Sequence, residues 1–146
     1  MDALIHSEND AMATPSLKVM ETYQLYGNML TLTGLSEENA NIERSIQMDA
    51  PTNLESVSGS IQVKGSMPVT PFENTLRYRF YDANGKVLSE GPFAVKSEDV
   101  GKPATFDNTL MLPALSSGSK FRLELADLSA KDGTPLSMTS AELVMK

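Results

Sequence analysis

Hydrophobic and polar residues alternate in seven short segments between residue 45 and the end of the chain. Successive side chains of a β-strand point to opposite faces, so this period of two predicts strands with one buried face. Turn signals rich in Gly, Pro, Asn and Asp separate the segments, and this spacing is typical of an all-β Greek-key sandwich. The predicted strands are 45–48, 60–65, 75–81, 86–89, 104–112, 120–127 and 139–145.

The segment 75–81 has the clearest alternation. Its apolar side is formed by every second residue from Leu76 to Phe80, and we expect that side to face the core. The opposite side carries Arg77, Arg79 and Tyr81. This segment is therefore predicted to be a central strand with a basic and aromatic outer row.

Two stretches between the predicted strands lack this alternation. Residues 53–59 are predicted to form a polar loop. Residues 90–103 contain two prolines and two glycines and are predicted to be mostly loop. Phe93 and Val95 are expected to point inward from that second loop.

The first 43 residues form an acidic N-terminal extension in front of a predicted domain over 44–146. Residues 1–50 hold eight acidic and two basic residues, whereas residues 51–146 hold eleven and ten. Residues 1–16 show no sustained period and are predicted to be a flexible leader. The sequence therefore predicts a nearly neutral domain with a solvated, partly flexible extension.

Two interpretations stand for residues 17–33. One is a hairpin that turns at Gly27 and Asn28, and the other is a helix over 16–29. The hairpin is favoured because Gly27 would weaken the interior of a helix. A short helix over 36–42 is also predicted, because its first residue is a serine of the kind that caps helices and acidic residues follow it.

Several short phrases in the second part of the chain resemble a known family. They occur in order over roughly 100 residues, at 57–65, 72–76, 79–85, 104–107 and 128–133, the last reading Leu-Ser-Ala-Lys-Asp-Gly. From about residue 45 to the end, the chain resembles the immunoglobulin-like domain of bacterial sporulation and spore-germination envelope proteins, which often accompanies GerMN modules. The resemblance implies an immunoglobulin-like sandwich, an extracytoplasmic setting and no catalytic residues. Phe72 lies just before the central strand and is expected to plug the end of the sandwich. The resemblance favours Glu73 as an acceptor of backbone N–H groups from a neighbouring loop, and the alternative is that its side chain is merely solvated.

Composition excludes several kinds of function. The net charge of −7 argues against nucleic-acid binding, which needs a basic surface. No apolar stretch approaches the ~18 residues of a membrane span, so no direct membrane insertion is expected. There is no cysteine, which excludes disulfides and thiolate sites. The start of the chain lacks a signal-peptide pattern, which fits either a cytoplasmic protein or a chain whose leader has been removed.

Candidate catalytic and metal-binding groups are few. The one histidine, His6, lies in the predicted leader without a nucleophile partner. The phrase that begins at Asp82, Asp-Ala-Asn-Gly, resembles the start of a calcium loop, but Phe93 stands where a bidentate acid is needed. The acidic pairs at 37–38 and 98–99 are adjacent in sequence and are expected to be solvated. The sequence therefore predicts no catalytic residue, no metal site and no cofactor.

One surface remains as a candidate binding site. If the strand 75–81 pairs with 120–127, its polar side shares one face with Glu124 and a further arginine. Arginine and tyrosine are common in recognition surfaces. The alternative is that these arginines only form cross-strand pairs with acids and cover the sheet. The candidate partner-binding face consists of Arg77, Arg79, Tyr81 and Arg122.

The predicted function is a non-enzymatic interaction module of the cell envelope or a secreted one, linked by the resemblance to sporulation or germination. We expect a protein or cell-wall partner, and a monomer or weak dimer, since exposed strand edges can pair between copies. One alternative is a structural spacer in a larger surface lipoprotein. Another is an inhibitor or chaperone-like binder of an enzyme that uses the loop at 90–103.

Overall fold

The computed structural model describes residues 2–5, 17–26, 29–37 and 44–146, with side chains described for 20–25, 29–36 and 44–146. These residues form twelve β-strands and one short turn of 3₁₀ type, so the prediction of an all-β fold is confirmed. The strands are β1 (Asp2–Ile5), β2 (Leu17–Tyr26), β3 (Met29–Glu37), β4 (Gln47–Ala50), β5 (Glu55–Val57), β6 (Ser60–Met67), β7 (Thr75–Asp82), β8 (Val87–Ala94), β9 (Lys96–Ser97), β10 (Ala104–Met111), β11 (Lys120–Leu128) and β12 (Pro135–Met145).

The strands form two sheets. The larger sheet has the order β1-β2-β3-β12-β11-β7-β8, and β5 adds to it by pairing in parallel with the end of β12. The smaller sheet has the order β4-β6-β10-β9. β7 pairs antiparallel with β8 and with β11, and β11 pairs antiparallel with β12. The strongest alternating segments of the sequence therefore lie side by side in the larger sheet.

The core lies between the inner faces of the two sheets, where aromatic rings contact one another. Phe80 of β7 is fully buried, and its ring centroid lies 5.9 Å from that of Phe121 of β11. The Phe93 ring from the larger sheet meets the Phe106 ring from the smaller sheet edge to face at 5.4 Å. Such pairs stabilise a core beyond the burial of their area. The predicted sandwich is therefore present, with its core formed by the apolar side of each alternating segment.

Two segments that the sequence predicted as loops are strands. β8 continues through Pro92 to Ala94, so residues 90–94 of the predicted loop belong to a strand at the edge of the larger sheet. An edge strand tolerates proline because one side of it needs no ladder hydrogen bond. The predicted inward direction of Phe93 and Val95 is confirmed, with exposures of 2 % and 6 %. In the polar loop at 53–59, β5 pairs with the end of β12.

The extension continues the larger sheet. β2 and β3 pair antiparallel along their length, so the described residues of this region form the strands of the hairpin interpretation and no helix. The predicted turn at Gly27 and Asn28 lies outside the residues that the structure describes. β1 pairs with β2, so Asp2–Ile5 form a strand rather than a flexible leader. The predicted helix over 36–42 does not begin at Ser36, because β3 runs through Glu37; its remaining residues lie outside those that the structure describes.

The expected plug at Phe72 is wrong, and Glu73 has the solvated side chain of the alternative interpretation. Phe72 is 61 % exposed, so its ring does not plug the sandwich, and the Glu73 side chain is also exposed. Glu73 and Asn74 both have φ of 54°, in the left-handed region that non-glycine residues rarely adopt. This turn directs the Phe72 ring to solvent just before β7 begins at Thr75.

Gly65 of β6 is tightly enclosed by its two neighbouring strands in the smaller sheet, β4 and β10. A Cβ atom there would lie 2.0 Å from the Gln47 carbonyl oxygen and 2.5 Å from the Phe106 ring. Gly65→Ala is therefore expected to lower the free energy of unfolding by about 1–3 kcal/mol, because overpacking moves neighbouring atoms off their preferred positions. Urea unfolding measures this, with Ser60→Ala on the exposed start of the same strand as a control within about 0.5 kcal/mol of wild type. An equal effect of the two substitutions would contradict this packing.

Candidate functional site

β3 pairs with β12 at one position, Leu35 with Met138, and there the β2–β3 hairpin contacts the side of β11 and β12 that is directed away from the core, the outer face of the larger sheet. Leu35 of β3 is 6 % exposed and packs with Ala126 and Met138, which form a second apolar cluster. The Ser140 hydroxyl of β12 donates a hydrogen bond of 2.9 Å to the Thr33 carbonyl. The base of the hairpin is thus attached to the sheet by both apolar contact and hydrogen bonding.

Met29, the first residue of β3, reaches the turn between β7 and β8. The Met29 methyl group would lie 3.1 Å from a Cβ atom added to Gly85. Gly85 has φ of 79°, so glycine suits both the turn conformation and the close approach of Met29. Between hairpin and sheet lies a cleft of about 760 Å³, with Leu25 and Met29 on one side and Lys120, Arg122 and Glu142 on the other.

The structure brings the four predicted face residues together on the outer face of β7 and β11. The strand register pairs Tyr81 with Arg122, Arg79 with Glu124, and Arg77 with Ala126. Side chains of directly paired residues lie on the same face of a sheet. The pairing of strands 75–81 and 120–127 that the sequence suggested is therefore present.

The burial of this face differs from the expectation. Arg122 is only 7 % exposed and Glu124 only 4 %, so these two residues do not form an exposed surface. The side chains of Arg77 and Arg79 keep 25 % and 29 % of their area exposed. Arg77, Arg79 and Tyr81 are thus the accessible part of the predicted face, and Arg122 lies beside the cleft below the hairpin. Sequence alternation places these residues on one face but carries no information on what covers that face.

Glu124 is the centre of a charge cluster on this face. Arg122 Nη1 donates to Glu124 Oε2 at 3.3 Å, and Arg77 Nη2 lies 3.7 Å from Glu124 Oε1. The Tyr81 hydroxyl donates to the same carboxylate at 3.3 Å. The Arg122 guanidinium also stacks over the Tyr81 ring at 4.4 Å, a cation–π contact. Glu124 therefore orients three of the four predicted face residues.

Arg79 has its own acidic partner. Its Nε donates to Glu90 of the edge strand β8, and this hydrogen bond is the main cause of a raised pKa of Arg79. Because Glu90 is about half exposed, the pair contributes little to stability. Its effect is to hold the Arg79 guanidinium in one position beside Tyr81.

The candidate calcium turn uses its carboxylate for its own backbone. Asp82 Oδ1 accepts hydrogen bonds from the backbone N–H groups of Asn84 at 2.8 Å and Lys86 at 2.9 Å. This is an Asx-type turn, which explains the Asp-Ala-Asn-Gly phrase without a metal. In the described part of the chain, no three His, Cys, Asp or Glu side chains form a group suited to a metal ion. His6 lies outside the described residues, and Glu98 and Asp99 are exposed.

Asp127, which the sequence offered only as a possible carboxylate for a metal site, is 1 % exposed. Arg44 Nη1 donates to Asp127 Oδ2 at 2.9 Å, whereas Oδ1 is buried without a hydrogen-bond partner. Ser137, the cross-strand neighbour of Asp127, also has a buried hydroxyl without a partner. Burial raises the pKa of Asp127, and the nearby Arg44 opposes that shift only in part.

The raised pKa of Asp127 predicts a pH dependence of stability. Folded protein holds the proton of Asp127 more tightly than unfolded protein does, so the free energy of unfolding falls as pH rises from the ordinary aspartate value through the raised pKa. Asp127→Asn removes this contribution. We therefore expect the stability of the variant, relative to wild type, to increase with pH in urea unfolding measured from pH 4 to pH 7.

Asp132 provides a control of opposite sign. Hydrogen bonds from Thr134 lower the pKa of Asp132, so its contribution to stability is present above the ordinary aspartate value and is lost as pH falls. Asp132→Asn should therefore become less stable relative to wild type as pH rises. A difference between Asp127→Asn and wild type that stays constant with pH would contradict the raised pKa.

No helix in the described part of the chain is long and apolar enough to cross a membrane. The chain matches no curated protein. Among solved structures, it is similar to CopC from Methylosinus trichosporium, with 19 % sequence identity and a TM-score of 0.42 over 70 % of this chain and 94 % of that one. The family model of the immunoglobulin-like domain of bacterial spore germination matches residues 45–134, more than half of the chain. The chain therefore belongs to the family of immunoglobulin-like domains of bacterial spore germination.

Proposed function

We propose that this protein is a non-enzymatic interaction module of the bacterial cell envelope, located outside the cytoplasm. The observation that carries the proposal is the row of Arg77, Arg79 and Tyr81 on the outer face of β7, next to the edge strand β8. This row combines side-chain types that recur in binding surfaces with partial exposure. A protein or cell-wall partner is the proposed ligand.

The row is held in place before any partner binds. Glu90 fixes Arg79, and Glu124 contacts both Arg77 and the Tyr81 hydroxyl. Side chains that are already ordered lose less conformational entropy on binding, which favours affinity. Arg122 stacks on the Tyr81 ring from its buried position and acts as a positioning residue for the row.

The chemistry of the row favours an acidic or aromatic partner surface. The two guanidinium groups can donate planar pairs of hydrogen bonds to carboxylates, and they can stack on rings. Both arginines have acidic partners, so a ligand carboxylate would compete with Glu90 or Glu124. Competition of this kind favours specificity and reversible binding over high affinity.

An affinity-capture experiment tests this proposal: the full chain is immobilised, and the envelope components that it retains are measured. The test compares wild type with a double variant, Arg79→Ser and Tyr81→Ser, using purified cell walls and solubilised envelope proteins of a spore-forming bacterium. We expect the double variant to reduce affinity for the retained partner by at least about tenfold, as loss of central binding residues does. Lys64→Ser on the smaller sheet is the matched control, because Lys64 is 46 % exposed and also pairs with an acid.

Two outcomes would overturn the proposal. Equal retention by wild type and the double variant would show that binding does not use this row. Absence of any retained partner would favour the alternative of a structural spacer. Sedimentation of the same samples reports the oligomeric state, which we propose to be a monomer or weak dimer.

A further inference from the structure

The turn between β7 and β8 contains an asparagine whose neighbour in sequence makes its side chain chemically reactive. Asn84 is followed by glycine, whereas every other asparagine of the chain precedes a residue that carries a side chain. An asparagine side chain forms a five-membered ring when the backbone nitrogen of the next residue attacks its amide carbon. Glycine has no Cβ atom to obstruct this attack, so Asn84 is the asparagine best suited to the reaction.

The Asn84 side chain is free to react in the folded protein. It is exposed, and its amide makes no hydrogen bond with any residue that the structure describes. The attacking atom, the Gly85 nitrogen, donates a hydrogen bond of 3.1 Å to the Asp82 carbonyl oxygen. This distance is near the long end of the range for N–H···O bonds, so only one weak hydrogen bond at Gly85 must open before the nitrogen can attack.

The other asparagines in the described part of the chain lack this combination. Asn53 Oδ1 accepts a backbone N–H group of β12 at 2.9 Å. Asn108 Nδ2 donates to a backbone carbonyl oxygen of β8 at 2.6 Å. Asn74 is exposed but precedes Thr75, whose β-branched side chain crowds the attacking nitrogen. These three asparagines are therefore internal references for the reactivity of Asn84.

The turn between β11 and β12 offers a contrast with the same spacing. Gly133 follows Asp132 and has φ of 74°, close to the 79° of Gly85. Asp132, however, accepts two hydrogen bonds from Thr134, and its lowered pKa keeps the carboxylate ionised at neutral pH. An ionised carboxylate resists attack by a nucleophile because its carbon is electron-rich. The amide of Asn84 is therefore the reactive group of the two glycine-containing turns.

We propose that Asn84 is a site of spontaneous deamidation. The Gly85 nitrogen gives its proton to solvent and bonds to Cγ of Asn84, and the bond from Cγ to the side-chain nitrogen breaks. That nitrogen takes up protons from solvent and leaves as ammonia. Water then opens the cyclic imide at either of its two carbonyl groups, which gives aspartate or isoaspartate at position 84. One water is consumed and one ammonia is released, and nothing is oxidised or reduced.

This conversion would change the turn in which it occurs. Asp82 Oδ1 accepts the backbone N–H groups of Asn84 at 2.8 Å and of Lys86 at 2.9 Å, and a new carboxylate beside it repels its charge. Isoaspartate also adds one atom to the backbone, which displaces Gly85 from its close approach to the Met29 methyl group. The modification is therefore expected to loosen the contact between Met29 and this turn.

Incubation of the full chain at pH 8 and 37 °C tests the proposal, with mass spectrometry of its peptides as the readout. We expect Asn84 to be converted at least about tenfold faster than Asn53, Asn74 or Asn108 in the same sample. Two products of equal mass, the aspartate and isoaspartate forms, should separate by chromatography. The rate should rise with pH, because the attacking nitrogen must lose its proton.

Asn84→Gln is the matched variant. It keeps an exposed amide at the same position, but glutamine can cyclise only through a slower six-membered ring. We expect this variant to show no conversion at position 84 in the time that converts half of the wild-type protein. In wild type, the Met29 methyl resonance should move as conversion proceeds, whereas that of Met111, 75 % exposed on the smaller sheet, should stay in place.

Conversion of Asn84 no faster than that of the three reference asparagines would overturn the proposal. Conversion in guanidinium-unfolded chain but not in folded chain would overturn it as well, because the turn would then protect the amide. Equal rates in Asn84→Gln and wild type would exclude the cyclic route. An unchanged Met29 resonance in converted protein would contradict the expected change in the turn. None of these outcomes depends on the proposed partner, since the reaction uses no residue of the row on β7.

Discussion

Replacing Phe80 with alanine is expected to lower the free energy of unfolding by about 3–5 kcal/mol, a large part of the stability of a domain of this size. Phe80 is fully buried, and its ring lies 5.9 Å from each of the rings of Tyr78 and Phe121. The substitution loses the free energy gained when the ring leaves water on folding. It also leaves a cavity, because a closely packed core collapses only partly around a missing ring. Urea unfolding followed by circular dichroism measures the loss.

Phe72→Ala is the matched control for this prediction. The same ring is removed only eight residues earlier, but Phe72 is 61 % exposed. We expect a change within about 0.5 kcal/mol of wild type. A large loss of stability in Phe72→Ala, or a small one in Phe80→Ala, would contradict the placement of the core.

Replacing Glu124 with glutamine is expected to lower the free energy of unfolding by about 2–4 kcal/mol. The change removes the one carboxylate that Arg77 and Arg122 share, and it leaves a buried guanidinium without an acidic partner. The lower end of this range applies because Arg77 is partly exposed, so solvent screens its interaction with Glu124. Urea unfolding at neutral pH tests it, and a folded variant should also show altered tyrosine fluorescence because the Tyr81 hydrogen bond changes.

Glu90→Gln is the control for the Glu124 prediction. Glu90 also pairs with an arginine of β7, but its side chain is 49 % exposed. Its removal should change the free energy of unfolding by less than about 1 kcal/mol. Equal losses of unfolding free energy in Glu90→Gln and Glu124→Gln would contradict the view that burial of the Glu124 carboxylate determines its contribution to stability.

The strand pattern of the sandwich could be predicted wherever one face of a strand is buried and the other is polar. β7 is such a strand, and its inner and outer residues were assigned correctly from alternation alone. β8 was predicted to end at residue 89, because Pro92 suggested a loop. Its true length depends on its position at the sheet edge, which is a tertiary property.

The end of the central strand shows another limit of sequence patterns. Phe72 is aromatic and precedes a strong strand, which favours burial, but the left-handed conformations of Glu73 and Asn74 direct it to solvent. Neither residue is a glycine, so no common sequence signal marks this turn. Similarly, Asp2–Ile5 lack a clear period, and their strand forms by pairing with β2.

The strand register of the candidate site could be predicted from the sequence, but the burial of its side chains could not. The pairing of Tyr81 with Arg122 follows from two alternating strands placed side by side. The burial of Arg122 and Glu124 depends on neighbouring long side chains and on a hairpin from the extension, far away in sequence. The cleft arises from that arrangement, so it could not be predicted from the sequence.

Photo-crosslinking from a position beside Arg77, Arg79 and Tyr81 is the measurement that decides most directly whether this surface binds a partner. A benzophenone side chain in place of Val87, which pairs with Tyr81 and is 40 % exposed, would lie beside the row without removing Arg77, Arg79 or Tyr81. The same probe at Met111, 75 % exposed on the smaller sheet, is the control.

We predict that the probe at Val87 forms a crosslink to one envelope component, that the probe at Met111 does not, and that Arg79→Ser with Tyr81→Ser abolishes the crosslink. Crosslinks of equal yield from both positions, or none from Val87, would contradict a binding role for this face.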